Sequence, residues 1–250
     1  MSIRGRLETM IRELEEHPEL KLTQANLGPP ATEMELETAR LNVADAPPGE
    51  WVDELEMYVQ LDEDAPFSEI WDPSMELFYR EVGSLELEWE ALPSNRYSSE
   101  VYGSIHIPRI EEVFPDSFSE LLLADSLFSD AGEALYERAR QLHLLDRFQP
   151  EACAFLDLSD GAFSVCYFSI SELPEESVMP TGLNFSQWLE CLLNSRGFGY
   201  WLTSCTLEKQ QSRAAQRFLE TAPQLFPDFR ASLFVPQTEI RSVFEGLEYD

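Results

Sequence analysis

Three glutamates at alternate positions, Glu86, Glu88 and Glu90, are the residues whose spacing most constrains their chemistry. In a strand, side chains two apart share a face, so these carboxylates form a row. A row of carboxylates can dock cations. A carboxylate-pair hydrolase instead needs two acids in different environments, so that their pKa values part. Glu86, Glu88 and Glu90 read as equivalent and exposed, which suits docking. Asp62, Glu63 and Asp64 form a second acidic group without the D-x-D-x-D-G spacing of a calcium loop, so they read as a solvated turn. His17, His106 and His143 are the only histidines, and none stands three or four residues from another His or Cys. No zinc pattern follows. His106 reads as a packed or surface histidine. There is no G-x-S-x-G, no P-loop and no G-x-G-x-x-G. No catalytic residue, metal or cofactor is expected.

Charge frames these residues. Asp and Glu number 47 against 17 Lys and Arg, a net charge of -30 on 250 residues. Residues 31–100 alone carry 19 acids and three bases (Arg40, Arg80, Arg96), or -16. Such a field repels itself in the compact state, but it favours solubility, steers cationic partners in and rejects nucleic acid. A basic protein is the partner to expect. A solvated acidic surface without a specific partner is the plainer alternative, and composition alone tips toward it. The bases are too few and scattered for a nucleic-acid groove. No segment approaches the roughly 20 apolar residues that span a bilayer. The first ten residues hold no apolar run and include Glu8, so no secretory signal is expected. Cys153, Cys166, Cys191 and Cys205 each sit in an apolar stretch without C-x-x-C spacing. They read as buried thiols in a reducing cytoplasm, with a disulfide as the alternative.

The elements that would position these residues follow from periodicity. Residues 2–17 read as an amphipathic helix and 18–30 as a loop. Thr32 and Glu35 form a capping box for a second helix, with Leu36, Ala39 and Val43 inward. Trp51 to Leu61 fits either helix or strand. Pro73 to Arg80 reads as a helix anchored by Met75, Phe78 and Tyr79, with Gly83 near its C-cap. Leu85 to Ala91 is a strand, with Leu85, Leu87 and Trp89 opposite the glutamates, and Tyr102 to Ile107 is a second strand. Residues 117–128 are apolar and unassigned. Asp130 and Glu133 cap a helix running to about Leu145. Cys153–Leu158 and Ala162–Phe168 make a hairpin, followed by a loop from Leu173 to Pro180. Asn184 with Gln187 caps a helix that Gly197 ends, and Gly197–Gly199 reads as its stop and turn. A further helix over about Leu207–Ala222 is expected to stop at Pro223, before a late strand Ser232–Val235. Of the five tryptophans, Trp89, Trp188 and Trp201 read as core anchors, and Trp51 and Trp71 as core anchors first with exposed hot-spot use as the alternative.

This order is α+β: a single domain with a mostly antiparallel central sheet flanked by N- and C-terminal helices. The pattern resembles the SUKH superfamily, which includes the fungal Smi/Knr cell-wall regulators and many bacterial immunity proteins. Four segments carry the resemblance: Leu27–Glu33 before the second helix; Phe78–Gly83 followed by Leu87-Glu88-Trp89; Gly103–Ile107; and Phe185–Leu189 through Tyr200-Trp201. The resemblance spans roughly residues 27–201, so the expected organisation is an N-terminal helical extension over 1–26, a SUKH-like domain over 27–205 and, outside the resemblance, a C-terminal helix-and-strand extension over 206–250. It also implies a non-enzymatic binding protein, with immunity members neutralising a cognate toxin, often a nuclease. A nuclease has a basic cleft, which agrees with the charge. The expected partner is thus a basic protein such as a toxin domain, with neither nucleic acid nor membrane. The expected contact set is Glu81, Glu86, Glu88 and Glu90 with Asp62, Glu63 and Asp64. A regulatory scaffold with several partners and a carboxylate-pair hydrolase are the rival readings.

Overall fold

The computed structural model describes residues 1–44, 71–92, 101–114, 142–158, 163–169, 171–172 and 177–236. The Trp51–Leu61 stretch, Asp62, Glu63, Asp64, residues 117–128 and the helix start at Asp130 lie outside the described residues. Among those described, six helices and two antiparallel sheets make an α+β chain.

The amphipathic helix is α1 (Ile3–Glu15), with Leu7, Met10 and Leu14 buried. The loop expected next is instead β1 (Leu20–Leu27). Helix α2 (Glu33–Ala44) opens on the expected box: the Thr32 N–H donates to Glu35 Oε2 at 2.6 Å, and the Glu35 N–H to Thr32 Oγ1 at 3.3 Å. Leu36, Ala39 and Val43 are its buried face. Helix α3 (Pro73–Glu81) is capped by Asp72, whose carboxylate accepts from the Ser74 and Met75 N–H groups. Gly83 follows with φ +74°, and a Cβ there would fall 1.8 Å from the Pro29 carbonyl oxygen, so the turn into the next strand requires glycine.

Strands β2 (Leu85–Ala91) and β3 (Tyr102–Ile107) complete a three-stranded sheet in the order β1-β2-β3. Its register pairs Trp89 with Leu22 and Gly103, and Glu88 with Gln24 and Ser104. A Cβ on Gly103 would lie 2.1 Å from Trp89 Nε1, so the bare strand is what admits the indole. Trp89 is 1% exposed and donates its Nε1–H to the Arg196 carbonyl at 2.7 Å.

Helix α4 (Ile110–Val113) is a single turn. Where the helix from Asp130 was expected to end, Leu142–Gln149 is instead β4. The hairpin forms as β5 (Ala152–Asp157) and β6 (Ser164–Ser169). Strand β7 (Val178–Asn184) begins within the stretch expected as a loop. These strands make a four-stranded sheet in the order β4-β5-β6-β7. It is buried on both faces. Ala154, Leu156, Val165 and Tyr167 join the main core, and Cys153, Phe155, Cys166 and Phe168 are buried on the other side. Two covered faces explain its nearly continuous apolar runs.

Helix α5 (Phe185–Ser195) has the reciprocal Asn184–Gln187 capping box and ends at Arg196, which is left-handed with φ 52°. After a 3₁₀ turn over Trp201–Cys205, α6 runs Arg213–Leu225 rather than from Leu207. It is capped by Ser212 and contains Pro223 instead of stopping there. The Phe226 N–H still reaches the Ala222 carbonyl at 2.8 Å, so the last turn survives the missing proline donor. The late strand is a 3₁₀ turn, Ala231–Leu233. There Phe234 packs on Phe218, 4.8 Å between centroids, and on Phe229. One hydrophobic cluster draws on α1, α3, β2, β3, β6, α5 and α6.

Candidate functional site

The alternation along β2 puts its carboxylates on the open face of the three-stranded sheet. Glu88 and Glu90 are exposed and Glu86 is half-buried, while Leu85, Leu87 and Trp89 are buried behind them. The neighbouring strands set the surroundings of each acid. Lys21 on β1 pairs with Glu90 at 2.9 Å. Gln24 donates to Glu86 at 2.7 Å, and His106 Nδ1 stands 4.0 Å from Glu86. Glu88 faces only Gln24 and Ser104 across the ladder, and its carboxylate makes no hydrogen bond or ion pair among the described residues. A bulge between Leu22 and Gln24 turns Thr23 to donate to the Glu88 carbonyl at 3.0 Å.

Glu88 and Glu90, with Tyr102 and Ser104 beside them, line a groove of about 820 Å³. The four-stranded sheet lends the other wall: Arg147, Gln149, Pro150 and Phe168. Arg147 is exposed and makes no ion pair among the described residues. Its presence makes the groove bipolar, acidic along β2 and basic at the β4 wall. Cys153 also lines the groove, but burial pushes its thiol up to about 12, which leaves it inert.

Of the expected contact set, Glu86, Glu88 and Glu90 come together. Glu81 is engaged elsewhere, where its carboxylate accepts from the Arg4 N–H at 3.0 Å, in the first turn of α1. A carboxylate there offsets the helix dipole. Glu81 thus joins α3 to α1. No sequence motif marks Tyr102, Arg147, Gln149 or Phe168, because residues on different strands meet only through the packing of one sheet on the other.

Other charged groups serve the scaffold. Glu76 is pushed up by burial but held down to about 2 by Arg40, Arg80 and the Trp71 indole N–H. Its bonds are 2.6 Å to Arg40, 2.7 Å to Arg80 and 2.7 Å to Trp71. Arg196, 6% exposed, lies 4.8 Å over the Phe226 ring and donates to Glu13 at 3.0 Å and to Asp228 at 2.8 Å. Asp146 is fully buried and is pushed up to about 7 by desolvation, against one lowering hydrogen bond from the His106 N–H. It does not line the groove. Among the described residues no group of His, Cys, Asp and Glu is arranged to hold a metal ion, and no helix is long and apolar enough to cross a membrane.

Comparison with family models, curated proteins and solved structures returns no match for this chain.

Proposed function

We propose that this chain is a non-enzymatic acidic binding protein that masks a basic partner, of the immunity type that neutralises a cognate nuclease-like toxin. One observation carries the reading. Glu88, exposed and unpaired among the described residues, stands between Glu86 and Glu90 on the floor of an open groove. Leaving a carboxylate unpaired between two others raises local repulsion and serves no packing purpose, so it suits a cation supplied from outside. The net charge of -30 steers such a partner toward the chain. The toxin class comes from the SUKH resemblance, which rests on short core motifs. The cationic partner comes from the charge and the groove. Among the described residues, the one carboxyl that burial drives strongly up is sealed away from that groove, which favours docking over carboxylate-pair hydrolysis.

The test is capture from the source cell's lysate at low and at high salt, with bound proteins identified by mass spectrometry. A single stoichiometric basic protein, released by salt, is the expected result. Several weak partners with no salt dependence would replace the inhibitor reading with the scaffold.

A further inference from the structure

We infer that Asp146 is a proton-operated latch between the two sheets: neutral, it holds β3 against β4, and on ionising it loosens that seam beside the groove. The inference stands whether or not the groove binds a basic protein.

The geometry is that of a carboxyl with half its bonding capacity filled. Asp146 is 0% exposed. One oxygen accepts the His106 N–H of β3 at 2.7 Å, which ties the three-stranded sheet to the four-stranded one. The other oxygen, Oδ2, is buried without a hydrogen-bond partner. An ionised carboxylate in that position needs a cation or water, whereas a neutral carboxyl leaves only one unpaired O–H, a much smaller cost than an unpaired buried charge.

The groups around it supply no cation. On its own strand, His143 is held down to about 4 by burial and is therefore neutral, its Nδ1–H given to the Val113 carbonyl at 3.0 Å. Arg147 turns out to solvent. From β3, the His106 ring is half exposed and points toward Glu86. From α3, Tyr79 gives its hydroxyl to the Pro108 carbonyl at 3.3 Å. Glu111 and Glu112 of α4 are exposed acids. From β5 comes the Cys153 thiol, which Asp146 helps to raise, while Asp157 lies across from Leu142 and acts on His143. With only acids and neutral groups facing it, Asp146 keeps its proton up to about pH 7.

The latch sits where the groove wall is made. Pairing of β4 with β5 is irregular on both sides of Asp146, between Leu144 and Asp146 and between Asp146 and Gln149. The next residue, Arg147, lines the groove. Strain at Asp146 therefore reaches that wall directly.

The sign follows from linkage. An ordinary aspartate in the unfolded chain titrates near 3.9, and Asp146 in the folded chain near 7. The folded state binds more protons between these values, so stability falls as pH rises through that window and levels off above it.

Two measurements test this. The ¹³C resonance of the Asp146 carboxyl is followed with pH in the wild-type protein, and urea unfolding of wild type and Asp146→Asn is compared across the same range. Asparagine keeps the acceptor for His106 and removes the titration, and groups common to both proteins cancel. The expected carboxyl midpoint is about 7. The folding constant of wild type should fall relative to the variant by up to about tenfold per pH unit between about pH 4 and 7, then stay level. Protection of the His106 amide, corrected for intrinsic exchange, should drop through the same range in wild type only. A carboxyl midpoint below about 5, parallel unfolding curves or unchanged amide protection would overturn the latch. If the variant fails to fold, the wild-type resonance and amide decide alone.

Discussion

The two sheets treat a carboxylate in opposite ways. On the three-stranded sheet one face is core and the other is water, so Glu86, Glu88 and Glu90 keep their carboxylates in contact with solvent. The four-stranded sheet is buried on both faces, and the acid in its seam, Asp146, is pushed up to about 7. The difference lies in what covers the second face, not in residue type. A half-open sheet can present a row of charge to a partner, whereas a fully covered sheet must neutralise any charge it takes in. The groove joins the two: its acidic floor belongs to the open sheet and its Arg147 wall to the covered one.

The comparison can be broken first through the buried face of β2. Trp89→Ala removes an indole that is 1% exposed and its bond to Arg196, and should cost about 3–5 kcal/mol in urea unfolding. Glu88→Ala, one position away on the open face, should change stability by less than about 0.5 kcal/mol. Equal costs would mean that the strand is not half-open.

A smaller effect belongs to Glu76, a carboxylate that escapes the fate of Asp146 because two arginines reach it. Glu76→Gln should destabilise by about 1–2 kcal/mol at neutral pH. Its folded pKa is depressed to about 2, so its contribution is present above the unfolded value and is lost as pH falls toward about 2. The gap between wild type and variant should therefore close in acid, as read by unfolding at a series of pH values.

The smallest effect is expected at Lys21, the lysine paired with the glutamate row. Its ion pair with Glu90 is solvent-exposed, so Lys21→Ala should alter stability by about 0–0.5 kcal/mol. The same change removes a positive charge beside the row and should speed association with a basic partner at low salt, measured by stopped flow.

Much of the fold is legible where local chemistry is self-sufficient. Thr32 with Glu35 and Asn184 with Gln187 fix helix starts by bonds within four residues, and the glutamate alternation fixes β2. Strand β1 reads as a loop because its bulge shifts the period: Leu20 and Leu22 alternate, then Ala25 and Leu27 resume one residue late. Strand β4 reads as the end of a helix because Leu142, Leu145 and Phe148 recur every three residues, a spacing its irregular pairing with β5 produces in a strand. The late 3₁₀ turn reads as a strand because Leu233 and Phe234 are apolar, but they pack among rings beside α6 rather than in a sheet. For the site, the row of acids is legible and the groove is not. Arg147 and Phe168 reach the groove of Glu88 only through long-range packing, and Glu81, alike in sequence, is drawn off by the first turn of α1.

On the proposed function, the glutamate row receives the basic partner. The measurement that tests it most directly is calorimetric titration of the salt-released partner against wild type and the triple variant Glu86→Lys, Glu88→Lys, Glu90→Lys over a range of salt. Wild-type affinity should fall with salt, and the folded variant should bind at least about 100-fold more weakly with a flattened salt dependence. A variant that binds as tightly as wild type, with the same salt slope, would contradict it.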